Sequence, residues 1–158
     1  MAETNAVEAA AEDASNLMKS IVASLEKTPK SPLDQSELEA IYAGAYTELQ
    51  AGRFQQAQLM FLFLNSQVPL DPRFLEGLGI AYLRLADYAK SVPFLGLASY
   101  LRPTSPVPLL YMAEALAGMG EAKGAGALLA ACAALADLEP RFSDVGRKAR
   151  ARLELISG

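Results

Sequence analysis

The sequence has no histidine and a single cysteine, Cys132, among 158 residues. Without histidine, acid–base catalysis by imidazole, Cys-His nucleophile pairs and most zinc sites are excluded. One cysteine cannot form an internal disulfide, and its apolar surroundings, LLAACAAL, predict a buried and unreactive thiol. Phosphate-binding loops, nucleophile elbows and metal-ligand constellations are also missing. We therefore expect a protein that is not an enzyme and that binds no cofactor or metal.

Basic charge and long apolar runs are scarce as well. The formal net charge is −4, so the chain lacks the basic face that displaces counterions from nucleic acid. Its start, MAETNAVEAAAEDASN, does not have the basic and then apolar order of a secretory signal. The run AGALLAACAALADL is too short and too rich in alanine to span a bilayer. We expect a cytoplasmic protein that neither binds nucleic acid nor inserts into a membrane.

The sequence does contain a period of 34 residues. The segments AGRFQQAQLMFLFL, LADYAKSVPFLGLA and MGEAKGAGALLAAC follow one another at that interval, with Gly52, Ala86 and Gly120 at the same position in each. Two helical patterns around a small residue, repeated every 34 residues, are typical of tetratricopeptide (TPR) repeats. The middle segment fits best, since Leu78, Gly79 and Tyr82 form its L-G-x2-Y pattern, although no segment has the usual tryptophan. Three contiguous units result: 38–71, 72–105 and 106–139.

Four capping signals mark helix starts in this register. Asp34 with Glu37 predicts a capping box. Asp71 and Ser105 each precede a proline, which would occupy the first helical position. Asp87 is placed to cap the second helix of the middle unit. These signals predict paired helices throughout 34–139.

The predicted fold is all-α, with an N-terminal helix before three tandem TPR helix-turn-helix repeats and a C-terminal capping helix in 140–158. A polar capping helix is expected because a terminal repeat cannot bury its own apolar face. Region 1–33 begins with an acidic, alanine-rich stretch that we expect to be poorly ordered. The amphipathic helix after it either packs on the first repeat or contacts a second copy of the chain. Its apolar positions are Leu17, Met18, Ile21, Val22 and Leu25.

A peptide-binding groove is predicted on the first helices of the pairs, because these line the concave surface of TPR arrays. In the first unit, Tyr42, Tyr46 and Leu49 form a second apolar stripe beside the core stripe. Such a surface suits an extended apolar segment, and a clamp for acidic tails would need more basic side chains. The alternative is that the chain's own N-terminal helix covers these positions. The equivalent residues are Arg73, Glu76, Ile80 and Leu83 in the middle unit, and Val107, Leu110, Glu114 and Ala117 in the third.

The segments ELEAIYAGAY, AGRFQQA and LDPRFLEGLG make the chain similar to the class II chaperones of bacterial type III secretion. These small TPR proteins hold translocator subunits before export. The resemblance covers about residues 36–138, and Glu48 and Pro93 depart from the expected pattern. It implies an N-terminal helix often used in dimers and a groove for a short translocator segment that contains proline and leucine. The groove residues that it implies are Tyr42, Tyr46, Leu49, Ile80, Leu83 and Leu110.

The leading hypothesis is therefore a cytoplasmic chaperone that binds the hydrophobic translocators of a type III secretion system and keeps them soluble and export-competent. The resemblance also suggests a homodimer. Two alternatives stay open. One is a TPR adaptor or scaffold that binds a folded partner on other faces. The other is a chaperone of needle subunits, whose substrate would form one helix rather than an extended segment.

Overall fold

The computed structural model describes residues 33–158, together with residues 12, 16, 19, 20 and 23. From residue 33 onward it contains seven α-helices, one short 3-10 helix at Pro140–Phe142 and no strand. The all-α prediction is therefore confirmed for the described residues. The helices are α1 Gln35–Gln50, α2 Phe54–Gln67, α3 Pro72–Arg84, α4 Tyr88–Leu101, α5 Val107–Gly118, α6 Ala122–Ala136 and α7 Ser143–Ser157.

The chain divides into two compact units, and the second begins at Leu70. In the first unit, α1 packs against α2. In the second unit, each helix from α3 to α7 packs against the next, and α5 also contacts both α3 and α7. The predicted repeat limits and flanking regions stay predictions; these are 1–33, 38–71, 72–105, 106–139 and 140–158.

The same tight turn closes each of the three helix pairs. The residues that the 34-residue period aligns, Gly52, Ala86 and Gly120, all have left-handed backbones, with φ of 79°, 59° and 81°. In each turn the following N–H reaches back to a carbonyl five residues earlier, which satisfies the helix end in the Schellman manner. Alanine is less suited than glycine to this conformation, at a cost of about 1–2 kcal/mol. The three closing bonds are Arg53 N to Glu48 O, Asp87 N to Tyr82 O and Glu121 N to Leu116 O, at 2.9, 2.9 and 2.8 Å.

Three of the four predicted caps are present. The Asp34 carboxylate accepts from the Glu37 N–H at 2.8 Å, and the Glu37 carboxylate accepts from the Asp34 N–H at 2.9 Å, which completes the capping box. Asp71 caps α3 before its first-position proline. Asp87 caps α4, although the bond from Lys90 N–H is long at 3.4 Å.

The predicted cap at Ser105 is wrong. Helix α5 begins at Val107, with Pro106 at the N-cap position and no side-chain cap bond. A capping side chain normally accepts from the second or third N–H of the helix. Here the second helical residue is Pro108, which has no N–H, and Ser105 lies one residue too early to reach the third. The start of α5 therefore depends on its two prolines, both buried, rather than on a capping hydroxyl.

Helix α2 contains the most apolar run, Leu59 to Leu64. Phe61 and Leu64 are completely buried, Phe63 is nearly so, and the remaining three side chains are half-buried. The burial of neighbouring positions means that α2 has apolar neighbours on more than one side. Despite this run, no helix in the described part of the chain is long and apolar enough to cross a membrane.

Within the second unit, α3 and α4 approach each other closely at Gly79. A Cβ atom on Gly79 would lie 2.6 Å from Leu95 Cγ and 3.2 Å from the Leu95 backbone nitrogen. Next to it, the buried Ser91 hydroxyl donates to the Gly79 carbonyl at 2.7 Å. The glycine of the L-G-x2-Y pattern is therefore needed because the two helix backbones meet there.

Pro93 lies inside α4, with its side chain exposed and the helix continuous through it. Its ring removes the N–H that would bond to the carbonyl of Ala89. Exposure on the outer face leaves that carbonyl accessible to solvent, which explains how the helix accommodates a proline.

We predict that Gly79→Ala lowers the free energy of unfolding by about 1–3 kcal/mol, because a side chain there forces α3 and α4 apart. Gly96→Ala is the matched control, since its Cβ would meet only the Met112 methyl at an ordinary 3.8 Å. That change should stabilise the protein by about 0.5–1 kcal/mol through helix propensity. Urea denaturation followed by circular dichroism measures both. Equal effects of the two substitutions would contradict the close approach at Gly79.

Candidate functional site

The first unit presents two tyrosines from α1. Tyr42 and Tyr46 lie one helical turn apart, with ring centroids separated by 6.1 Å and planes tilted by 44°. Tyr42 is half-buried and meets Phe61 of α2 edge-on at 6.2 Å. Tyr46 is 41% exposed. In this tyrosine pair, the Tyr42 ring packs against the core and the Tyr46 ring is accessible to a partner. Aromatic rings of this kind are frequent anchors in interfaces.

The stripe of α1 beside the tyrosine pair belongs to the core. Leu38 and Ala45 are buried, whereas Leu49, the third predicted groove residue of this unit, is half-buried. Glu48, which departs from the pattern of the resembled family, forms an ion pair with Arg53 across the turn, at 2.9 Å from Nη2 to Oε1. The hydrogen bond and charge of Arg53 hold the pKa of Glu48 below its usual value. A carboxylate at this position is therefore explained by its role in the turn.

Arg73 is engaged at the start of α3. Its Nε and Nη2 donate to the two carboxylate oxygens of Asp71 at 3.2 and 2.9 Å, and its guanidinium lies 5.4 Å from the centre of the Phe74 ring. Burial acts to raise the pKa of Asp71, but the hydrogen bonds and charge of Arg73 outweigh it and lower the pKa. This geometry assigns Arg73 to the helix start, which agrees with the absence of a basic clamp.

Glu76 is mostly buried on α3. Its Oε2 atom is covered and has no hydrogen-bond partner among the residues that the structure describes. Burial raises the pKa of this carboxyl, and the charge of Arg102 offsets only part of that effect. A charged group without a full set of partners in such a place costs stability.

The three aliphatic side chains predicted to line the groove in the second unit are packed in this structure. Ile80, Leu83 and Leu110 are 6%, 5% and 4% exposed, and Leu110 belongs to a core cluster with Leu129 and Cys132. Their role in holding a partner stays a prediction. In this structure the three side chains are part of the core, whereas Tyr46 is exposed.

Glu114 joins three helices through ion pairs. Its Oε1 accepts from Arg84 of α3 at 2.7 Å, and its Oε2 accepts from Arg152 of α7 at 3.1 Å. Neither arginine was predicted as a site residue. The 34-residue period contained the information needed to find them. The positions one period before and after Glu114 are Ile80 and Lys148. Arg84 and Arg152 each lie one helical turn after these positions.

A cavity of about 260 Å³ opens beside Glu114, between α5, α6 and α7. Its wall is mainly apolar, and its charged lining residues are Glu114 and Arg152. Leu155 at its edge is 82% exposed. Sequence reasoning placed only Glu114 and Ala117 of this wall on the binding surface. The apolar lining residues are Ala113, Ala117, Leu129, Leu155 and Ile156.

Cys132 is completely buried, and its thiol lies 3.3 Å from the Pro106 carbonyl. Burial raises the pKa of this thiol to about 11, and the charge of Arg152 offsets only part of the effect. The thiolate, which is the reactive form, is therefore scarce at neutral pH. Within the described residues, no group of three or more His, Cys, Asp or Glu side chains is arranged to hold a metal ion.

The residues predicted to form a dimer contact lie outside the described residues, so that contact stays a prediction. They are Leu17, Met18, Ile21, Val22 and Leu25.

No protein-family model and no curated protein sequence matches this chain. Solved structures do match it. PcrH from Pseudomonas aeruginosa is 26% identical, with a TM-score of 0.75 over 80% of this chain and 96% of PcrH. PcrH in complex with the chaperone binding region of PopD is also 26% identical, with a TM-score of 0.77 over 82% of this chain and 97% of PcrH.

SycD, the type III secretion translocator chaperone of Yersinia enterocolitica, has the same fold. In its complex with a peptide of the translocator YopD it is 24% identical, with a TM-score of 0.74 over 80% of this chain and 97% of SycD. PcrH and SycD are class II translocator chaperones with a TPR-like helical fold. The predicted repeat fold and the resemblance to these chaperones are therefore confirmed.

We predict that Glu76→Gln raises the midpoint of thermal unfolding at pH 7 by about 2–4 °C, which corresponds to about 1 kcal/mol. The folded-state pKa of Glu76 lies above its unfolded value, so the ionised carboxylate destabilises the folded state. The gain should therefore disappear as the pH falls through the folded-state pKa toward 4. Glu154→Gln, at an exposed position of α7, is the control and should change the midpoint little. A gain from Glu76→Gln that persists at low pH would exclude charge burial as its cause.

Proposed function

We propose that this protein is a cytoplasmic type III secretion chaperone that binds an extended apolar segment of a translocator on the first helices of its repeats. The tyrosine pair carries the proposal, because it is an aromatic surface that the core of the first unit leaves open. The likeness to PcrH, which was crystallised with the chaperone binding region of PopD, supports it at 26% identity over most of both chains.

The chemistry of the tyrosine pair suits a segment that contains proline and leucine. Proline-rich segments adopt an extended helix without internal hydrogen bonds and bind to grooves lined by aromatic rings. The rings of Tyr42 and Tyr46 supply such a face, and the hydroxyl of the exposed Tyr46 can donate to the free carbonyls of the segment. Binding there would keep an apolar translocator segment from aggregating. No nucleotide, metal or covalent step is part of this mechanism, and we propose that the protein is not an enzyme.

The charged residues support the same choice of ligand. Arg73 is held by Asp71, and Arg53 is held by Glu48, so neither is arranged with others as a clamp for a carboxylate tail. An extended segment with few charges is the better match to the side chains that remain.

The homodimer suggested by the resemblance belongs to this proposal, with its contact on the N-terminal helix. SycD has been crystallised as an alternative dimer.

We predict that Tyr46→Ala weakens binding of a translocator segment by about tenfold or more, as expected for an aromatic interface anchor. Calorimetric titration with synthetic translocator segments, among them the chaperone binding region of PopD, measures the affinity. Tyr100→Ala is the matched control, because Tyr100 is 81% exposed on α4 and belongs to no predicted groove position. It should bind as the unmodified protein does.

Tyr42 requires a different substitution because its ring packs on Phe61. Tyr42→Phe keeps that contact and removes only the hydroxyl, so a smaller loss of affinity is expected than for Tyr46→Ala. If the folded protein binds no translocator segment, or if Tyr46→Ala and Tyr100→Ala behave alike, the proposed site is wrong. Capture of a folded partner with the tyrosines dispensable would instead indicate an adaptor.

A further inference from the structure

The cavity between α5, α6 and α7 has the size and lining of a pocket for one large side chain. Its volume of about 260 Å³ lies below the ~300–1,000 Å³ of pockets that hold whole small molecules. It is also far larger than the ~30 Å³ that one water occupies in the liquid. Ala113 and Ala117 contribute only methyl groups to its wall, which leaves the space open. An aliphatic side chain could fill it without displacing the helices.

The charges beside the cavity are not balanced. The single carboxylate of Glu114 is shared by the guanidinium groups of Arg84 and Arg152, so these three groups carry a net charge of +1. The side chains of Arg84 and Arg152 are 36% and 37% exposed. A guanidinium has five N–H donors, and within the described residues Arg84 and Arg152 each donate one hydrogen bond to Glu114. Donors therefore remain for a second carboxylate at the mouth of the cavity.

We propose that this pocket binds a second point of the translocator chain, namely a leucine-like side chain directly followed by an aspartate or glutamate. This inference rests on the proposed chaperone function and adds a separate site to it. The aliphatic side chain enters the cavity against Leu129 and Ile156, and the acidic side chain pairs with Arg84 and Arg152. Glu114 holds the two arginines in place for that pairing, and the two guanidinium groups repel a basic residue at the acidic position.

Methyl NMR of the full-length protein tests the pocket without requiring a translocator. The protein is labelled at alanine methyl groups and titrated with capped dipeptides: N-acetyl-Leu-Asp-amide, N-acetyl-Leu-Asn-amide and N-acetyl-Leu-Lys-amide. The methyl signals of Ala113 and Ala117 should shift, while that of Ala45 in the first unit should not. The Asp dipeptide should bind about two- to fivefold more tightly than the Asn dipeptide, as expected for a partly exposed ion pair. That preference should fall at high ionic strength.

Two variants separate the apolar and the charged parts. Ala117→Leu fills the cavity from an exposed helical position and should abolish the shifts at Ala113. Ala134→Leu, at an exposed position of α6 outside the cavity, is the matched control and should leave them unchanged. Arg84→Gln should leave dipeptide binding intact but remove the preference for aspartate. Thermal unfolding confirms that each variant is folded before titration.

The outcomes distinguish this pocket from the proposed function. Unshifted Ala113 and Ala117 signals, in a protein that still binds a translocator segment, would overturn the pocket alone. Equal binding of the Asp and Lys dipeptides would overturn the acidic neighbour. Shifts that appear on raising the protein concentration without any dipeptide would identify a second copy of the chain as the occupant and overturn the proposal. Failure to bind any translocator, with the dipeptide shifts as expected, would overturn the chaperone function instead.

Discussion

The tight reversal between paired helices constrains everything else in this structure. At Gly52, Ala86 and Gly120 the backbone enters the left-handed region, a hydrogen bond reaches back across the turn, and only three residues separate the two helices of each pair. With so short a connection, the second helix of a pair must run back along the first. The facing side chains must then be small or interlock, and Gly79 against Leu95 is a close contact of this kind in the second unit. The glycines of the repeat are therefore consequences of geometry rather than independent features.

The same repetition determines which side chains meet between pairs. In the second unit, α5 contacts both α3 and α7, so residues about one period apart in the sequence come together. Glu114 lies 30 residues after Arg84, which is one helical turn less than the period. It lies 38 residues before Arg152, which is one helical turn more than the period. An ion-pair network thus spans three helices without any local sequence pattern. The cavity beside it exists because small alanines occupy the same face of α5.

Helix starts were the most predictable part of the fold, because a cap depends on bonds between residues two or three apart. Asp34, Asp71 and Asp87 all form the expected bonds. Ser105 does not, since Pro108 removes the N–H that a cap would have used. The tyrosine pair was predictable for the same local reason, as residues four apart on a helix share a face.

The second unit's part of the candidate site was less predictable. Ile80, Leu83 and Leu110 occupy groove positions by repeat alignment, yet all three are buried. Whether an aliphatic residue is covered depends on neighbouring helices, and the alignment of one repeat with another does not contain that information. Glu76 shows the same limit, because a carboxylate at the surface and one that is mostly buried look alike in the sequence.

By itself, the sequence determined the helical period, the left-handed turns and the side-chain caps, because each arises from backbone conformation and contacts within a few residues. It also determined that neither imidazole chemistry nor an internal disulfide is available to this chain. The tertiary structure alone decided which apolar side chains are exposed, which arginines share Glu114, and where a cavity remains. These properties depend on distances between helices, and those distances are set by the packing of all their side chains together.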